Sequence, residues 1–388
     1  MREVVRAENQ SMIPYLPMKK DAVKNLFSKR LDAFAARLRR RGISVALICG
    51  ERNQKGLVGF GCDNGILCVG CASACSGAAP VSGKTAFYTD FRYVPAAKRE
   101  APWLKVQDMG RLDVRGFVPA KGPFKVGFEG NVPASRYLEL QKAFGRRARF
   151  VDVEKDVLML RAVKTPEEIV KLVEAEALNV HIWGQALREF RPGMTEKDMQ
   201  RIIRAWMNAL GDGEAFETIV CVGANAAECH HVPDDTVWHK GEPLLVDMGV
   251  KLDGYCSDMT RCIRSADHGP RGVKYNEVYD LVLSANRAAI AAVKPGITGR
   301  RLDAVARKII SKAGYGRCFG HALGHGVGLD IHEYPVASRH SDIELKPGML
   351  VTIEPGVYIE GELGVRIEDL VLVTNDGCEV LSSGASPH

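Results

Sequence analysis

The chain has 388 residues, of which 46% are hydrophobic and 26% charged, so two globular domains are the natural expectation rather than one oversized core. Its net charge of +6 is mild and its basic patches (Lys29-Arg30, residues 37–41, Arg146-Arg147) are scattered, which argues against a nucleic-acid partner. The first residues lack an apolar export segment and no stretch approaches the roughly 20 apolar residues of a membrane span, so neither export nor insertion is expected and the cytoplasm is the expected location.

In chain order, the first predicted element is a basic amphipathic helix over residues 22–41, with its arginines in a solvated last turn. Strands follow at residues 45–48 and 85–88. Between them lie Cys62, Cys68, Cys71 and Cys75. Their spacing matches no standard metal-cluster pattern, and free cysteines behave as small hydrophobes. With eleven cysteines and no secretion signal, reduced thiols are expected. Residues 151–164 read as a connector. Thr165-Pro166-Glu167-Glu168 is a capping box with proline in the first turn, and it opens a long helix ending at Phe190.

From there the sequence repeats. Residues 190–211 align without gaps to residues 293–314 at an offset of 103, matching Pro192/Pro295, Gly193/Gly296, Thr195/Thr298, Arg204/Arg307 and Gly211/Gly314. Each copy spells a helix stopped by Pro-Gly, a Thr cap and a second helix. Each is followed by a histidine-containing loop and then by a hairpin with two carboxylates. Two pseudo-equivalent α/β halves facing one site are implied.

The first hairpin comes from an apolar run to Asp247, an Asp253-Gly254 turn and a second run from Tyr255. A two-residue turn pairs Leu252 with Tyr255 and sets Gly249 opposite Asp258. Asp247 and Asp258 then become diagonal neighbours, roughly 7–8 Å apart, able to converge on one ion. In the second half, His321 and His325 have helical spacing, but glycines at 320, 324, 326 and 328 oppose a helix, so a loop or irregular strand is expected. Glu354 and Glu368 each sit in or at the end of a buried strand. A salt bridge from Glu368 to Arg366 would explain one of them, but two acidic hairpins exceed what ion pairs need. Oxygen ligands with one imidazole suit a pair of divalent ions such as Mn²⁺, Co²⁺ or Zn²⁺.

These segments resemble the pita-bread metallopeptidases. The resemblance is carried by Val246-Asp247-x-Gly249 with Gly254-Tyr255-x-Ser257-Asp258-x-Thr260-Arg261, by Gly324-His325-Gly326-x-Gly328-Leu329-Asp330-x-His332-Glu333, by Thr352-x-Glu354-Pro355-Gly356-x-Tyr358 and by Arg366-Ile367-Glu368-Asp369. Within that group the chain is most similar to aminopeptidase P and prolidase. The likeness is close from about residue 160 onward. Before that it rests on Phe87-Tyr88-Thr89-Asp90-Phe91-Arg92-Tyr93, which resembles the N-terminal signature of the creatinase and prolidase group. The resemblance implies an α/β (α+β) protein, with a creatinase-like domain over 1–160 and a pita-bread catalytic domain over 161–388.

It also implies a ligand set. Asp247 would chelate one ion, Asp258 and Glu368 would bridge both, and His325 and Glu354 would complete the other, with Mn²⁺ favoured. Water or hydroxide between the ions would be the nucleophile and Glu354 the proton shuttle. His230, His321 and His332 match substrate-side histidines, with His332 donating to the scissile carbonyl and His230 near the substrate's amino end. Arg366 would orient the bridging carboxylates. Counting back from Asp247 selects His230 over His231, which is left as a rim residue. The expected reaction is release of the first residue from short peptides with proline second, by a homodimer whose N-terminal domain shortens the cleft. Prolidase activity on Xaa-Pro dipeptides stands next. A methionine aminopeptidase-like enzyme has no need of the first 160 residues, creatinase works without metals, and a non-enzymatic scaffold of this fold typically loses ligands. All five are present here.

Overall fold

The computed structural model describes residues 20–71, 85–111, 117–118 and 121–385. Contacts divide the chain into two compact units between Arg161 and Ala162.

The first unit opens with α1 (Lys20–Arg40), whose Leu31, Phe34, Ala35 and Leu38 fall at i, i+3, i+4 and i+7 and are all buried. The strands β1 (Ile43–Ile48), β2 (Gly65–Gly70), β3 (Thr85–Thr89), β4 (Val106–Asp108), β5 (Phe124–Phe128) and β6 (Ala148–Asp152) form one mixed sheet in the order β4-β3-β2-β1-β5-β6. Helices α2 (Glu51–Val58), α3 (Val94–Glu100), α4 (Ala134–Phe144) and α5 (Glu154–Ala162) complete the unit. Period-two alternation sends Ala46, Ile48, Leu67 and Val69 into the core on one face, and Val45, Leu47, Ile66 and Cys68 into the core on the other.

Two expectations change here. The connector over 151–164 is mostly β6 and α5, because Val153 and Val157 are apolar enough to join the core. The basic turn of α1 is not merely solvated: Arg37 and Arg41 both grip the carboxylate of Asp156, and Arg39 Nε donates to the Cys71 carbonyl at 3.0 Å. Cys68 lies on one face of the sheet while Cys62 and Cys71 pack on the other, so the three cannot converge on one ion. Cys75 lies outside the described residues.

The second unit follows the repeat. Thr165 caps α6 (Pro166–Glu189) with a complete capping box to Glu168, and Thr195 caps α7 (Glu196–Leu210) with another to Asp198. In the second copy, α8 (Pro270–Ala292) is followed by α9 (Gly299–Lys312), whose cap Thr298 accepts from Arg301 N. Trp183, Ile203 and Met207 of the first helix pair pack against Val220 and Val246, each large side chain contributing about 2–3 kcal/mol on burial.

The first hairpin comprises β8 (Leu244–Met248), β9 (Lys251–Leu252), β10 (Tyr255–Cys256) and β11 (Met259–Ile263), with β7 (Ile219–Val222) beside β8. Asp253 and Gly254 have φ of 51° and 80°, the paired positive values of a type I′ turn. The register is the expected one, Leu252 opposite Tyr255 and Asp247 opposite Thr260. The ladder breaks where Gly249 would face Asp258.

In the second half the Gly-rich loop forms β12 (Gly324–Gly326) against β13 (Glu333–Ala337), as a strand rather than a helix. The second hairpin is β14 (Leu350–Ile353), β15 (Gly356–Ile359), β16 (Leu363–Arg366) and β17 (Asp369–Val373), with β18 (Cys378–Val380) beside β17. Ile353 pairs with Asp369 and Gly356 with Arg366. Glu354 and Glu368 therefore face each other across the same kind of break. The hairpins meet where Glu368 N donates to the Thr260 carbonyl at 3.2 Å and Arg261 donates to Asp369 at 2.9 Å. No helix among the described residues is long and apolar enough to cross a membrane.

Candidate metal centre

Five side chains line one cavity at the two ladder breaks: Asp247 from β8, His325 from β12, and Asp258, Glu354 and Glu368 from the breaks themselves. Ligand atoms of Asp258, His325 and Glu368 lie within 4.8 Å of one another. His325 Nε2 is 3.5 Å from Asp258 Oδ2 and 3.4 Å from Glu354 Oε1. Its Nδ1 donates to the Gly326 carbonyl at 3.1 Å, which leaves Nε2 as a lone-pair donor aimed at the acids. Burial pushes this imidazole down to about 4, with His332 adding to the effect, so it stays neutral. Its backbone is fixed by a 3.0 Å bond to Thr352 Oγ1, and Thr352 also donates to Glu354 at 3.2 Å.

Four carboxylates share this space with one close guanidinium. Arg366 Nη2 donates to Asp247 Oδ2 at 2.6 Å, while Asp247 Oδ1 is buried with no hydrogen-bond partner. Four negative charges and one positive leave −3, and the strain appears in the acids. Burial, then the Glu368 charge, holds the Asp258 carboxyl well above its ordinary range. Burial, then the Glu354 charge, does the same to Glu368, and burial pushes Glu354 up to about 8. An orphaned carboxylate oxygen, a directed imidazole lone pair and three reluctant acids fit divalent cations.

Arg366 reaches one of the two acids it was expected to orient, Glu368, and only through a hydroxyl. It holds Asp247 directly and touches neither Asp258 nor Glu368. Its Nε donates to Thr260 Oγ1 at 3.1 Å, and that hydroxyl donates to Glu368 Oε2 at 2.7 Å. The Arg366–Glu368 salt bridge considered from sequence is replaced by this relay. Asp258 is braced instead through its N–H, which donates to Glu176 Oε2 at 3.1 Å. Glu176 is fully buried, which pushes its carboxyl up to about 8.

The centre lines a cavity of about 460 Å³ with His230, His321 and His332. His332 packs edge-on to His325 at 4.3 Å between centroids, and burial lowers its pKa. His230 is exposed on the wall. His321 is committed to protein atoms at both nitrogens: Nδ1 donates to the Ala322 carbonyl at 2.8 Å and Nε2 accepts from Tyr358 OH at 2.9 Å. It therefore presents its ring rather than a free nitrogen.

His231 is corrected. It is 8% exposed rather than on the rim, because its Nε2 bonds the buried Glu196 at 2.7 Å. Desolvation alone would lower its pKa, but the bond and charge of Glu196 reverse this and raise it. Glu196, His231 and Asp234 lie close enough to share an ion. Both Glu196 oxygens, however, already accept two hydrogen bonds each. Sequence reasoning missed Thr260, Thr352 and Tyr358 although they stand inside the quoted motifs, since nothing local reveals their distant partners. Glu196 was hidden as an ordinary first-turn acid.

Duplicated hairpins that bring acids and one imidazole to the floor of a cavity define a metal-dependent hydrolase. A family model for metallopeptidase family M24 matches residues 171–375, and one for the creatinase/prolidase N-terminal domain matches residues 30–163. The chain belongs to metallopeptidase family M24, with a creatinase-like N-terminal domain and a pita-bread C-terminal domain. The uncharacterized peptidase YqhT of Bacillus subtilis is 33% identical over 365 residues, covering 93% of this chain and 96% of that one. The Xaa-Pro dipeptidase from Bacillus anthracis is similar with a TM-score of 0.83 and 32% identity, over 93% of this chain and 98% of that chain. An X-Pro aminopeptidase from Thermotoga maritima is similar at 0.76 and 31%, over 90% and 98%.

Proposed function

We propose that this metallopeptidase is an Xaa-Pro peptidase that releases the first residue from short peptides whose second residue is proline, with two divalent ions, Mn²⁺ before Co²⁺ or Zn²⁺. The observation that carries the reading is the convergence of Asp258, His325 and Glu368 within 4.8 Å beside the orphaned oxygen of Asp247. Asp247 would hold one ion, Asp258 and Glu368 both, and His325 and Glu354 the other. When bound, the ions supply a nucleophile from water near neutral pH and polarise the scissile carbonyl.

The chain's own residues divide the remaining work. Glu354, ionised when it holds an ion, takes up the proton that the attacking water gives up and passes it to the leaving proline nitrogen. His332, kept neutral by burial, donates to the scissile carbonyl oxygen without adding a positive charge beside the ions. His230 receives the substrate's amino end, and His321 contributes its ring to the substrate wall. Arg366 keeps Asp247 aimed and braces Glu368 through Thr260. In this reading residues 1–160 limit substrate length, residues 161–388 carry the chemistry, and the working form is a cytoplasmic homodimer.

A second reading, Xaa-Pro dipeptidase, is favoured by the higher TM-score of the Bacillus anthracis dipeptidase, 0.83 against 0.76 for the Thermotoga maritima aminopeptidase. One assay decides. The purified protein is stripped, reloaded with Mn²⁺ and given Xaa-Pro dipeptides beside Xaa-Pro-Yaa tripeptides. Cleavage of tripeptides supports the aminopeptidase, cleavage of dipeptides alone the dipeptidase, and no metal-dependent cleavage of either overturns both.

A further inference from the structure

The segment carrying His230 is fastened by one buried side chain that neither touches the acids of the centre nor stands in the quoted motifs. Glu196 is the first residue of α7 and is 0% exposed. Its Oε1 accepts from Val222 N at 2.6 Å and from Asn225 Nδ2 at 2.9 Å, at the start of the segment. Its Oε2 accepts from His231 Nε2 at 2.7 Å and from Asp234 N at 3.0 Å, at the end. The helix start is held separately, by the Thr195–Asp198 capping box, so this carboxylate is not needed as a cap.

His230 stands between two anchors. On one side the Cys229 carbonyl accepts from Arg366 Nη1 at 3.3 Å, and Arg366 also holds Asp247. On the other side is His231. No regular helix or strand spans residues 228–243; backbone bonds close a turn from His231 N to the Glu228 carbonyl and hold the Asp234 and Thr236 carbonyls to the start of α7, and between them the side-chain anchors aim His230. The repeat supplies a control inside the molecule. Glu196 aligns with Gly299, where an added Cβ would lie 2.2 Å from the Val336 carbonyl. The second half closes by direct backbone approach and has no room for a carboxylate.

We propose that Glu196, acting through His231, is the positioning residue for His230, and that this pair sets how the peptide's amino end is held. The proposal rests on the Xaa-Pro reading for its substrate, but its structural half does not. A buried carboxylate bonded to an imidazole from one side and to three N–H donors from elsewhere restricts the segment to one geometry, and misplacing a binding group by an ångström is enough to lower turnover.

The test uses the full-length, Mn²⁺-loaded protein with His231→Ala, His231→Gln and His230→Ala, and the double variant. Glutamine places an N–H near the original Nε2, so it is the conservative replacement. His231→Ala should lower kcat/KM on Xaa-Pro peptides by about 10- to 100-fold, mainly through KM, with metal content unchanged. His231→Gln should recover most of this. Adding His231→Ala to His230→Ala should cause no further loss, because a residue that acts through His230 has nothing left to position. Additive losses, or no rescue by glutamine, overturn the proposal. Hydrogen exchange gives a readout that needs no substrate: residues 223–236 should exchange faster in His231→Ala and recover in His231→Gln, while α7 is unchanged. Unchanged exchange in that segment overturns the proposal even if the wild type cleaves no Xaa-Pro peptide, a result that would sink the functional reading alone. Should His231→Ala fail to fold, His231→Asn, which is too short to reach Glu196, replaces it in every arm.

Discussion

The two halves of the catalytic unit place their acids at different points of one scaffold. Both hairpins break their ladders at the same place, after Met248 in the first and after Ile353 in the second. Asp258 and Glu368 occupy the same position, immediately before the outgoing strand. The incoming strands differ. The first half carries its acid as Asp247, inside β8, and has Gly249 at the break. The second has Thr352 at the position of Asp247 and its acid, Glu354, at the break. The imidazole is likewise unshared, since His325 rises from the second half only. A duplication thus yields two unlike environments, Asp247 against a guanidinium and Glu354 against an imidazole and a hydroxyl. The difference shows how a symmetric frame supports an asymmetric site: the backbone repeats while the acids shift by two residues.

The largest expected effect tests the equivalence itself. Asp258→Asn and Glu368→Gln should each lose bound metal and at least about a thousandfold in activity, because several kcal/mol of charge stabilisation depends on the ions. His325→Ala should do the same with the fold intact by circular dichroism. Metal analysis and kinetics that separated Asp258 from Glu368 would break the comparison.

Arg366→Met comes next. It leaves Asp247, whose side chain is 14% exposed, without its partner and cuts the relay through Thr260. A destabilisation of about 3–5 kcal/mol is expected in the metal-free protein, with metal affinity lowered about 10- to 100-fold. Urea unfolding and a metal titration would read both. An effect confined to activity would mean that Arg366 faces substrate instead.

Gly299→Ala sharpens the contrast between the helix starts. The added carbon meets a backbone carbonyl, not a movable side chain, so a loss of about 1–3 kcal/mol is expected in thermal or urea unfolding. A neutral result would mean that the second half has room there after all.

The smallest effect concerns pH. Asp258, Glu354 and Glu368 are raised when no ion compensates them, so each is more willingly protonated folded than unfolded. Their contribution is present in full below the ordinary carboxylate range and is lost as pH rises through the raised values, about 8 for Glu354. His231 is also raised and acts in the same direction above the ordinary imidazole value. The chelator-stripped protein should therefore melt progressively lower from pH 5 to 8, and the metal-loaded protein should show only the smaller part of this that His231 contributes. Metal uptake at pH 7 should release protons, visible as a buffer-dependent calorimetric enthalpy.

Local grammar was legible and long-range partnership was not. The Asp253-Gly254 turn, the capping box at Thr165, the Thr caps of the repeat and the strand in place of a helix at His325 follow from neighbours a few residues apart. So does the hairpin register, because a two-residue turn and the apolar alternation permit one pairing. The five acidic and imidazole side chains singled out by residue chemistry and motif are ones that the fold brings to one cavity. The error at His231 had a different origin: nothing within ten residues of it announces Glu196, which lies 35 positions away. The link from Arg366 to Asp247 spans 119 positions, and that from Thr260 to Glu368 spans 108.

The sequence by itself determined where the chain turns, which faces are apolar and which side chains are able to bind a cation, since those depend on backbone preference and side-chain chemistry. Tertiary structure decided which buried carboxylate holds His231, which carboxylate meets the guanidinium and which hydroxyl carries its hold onward. Those choices depend on where the two folded halves bring distant residues together, and a buried charge takes the partner that packing leaves within reach.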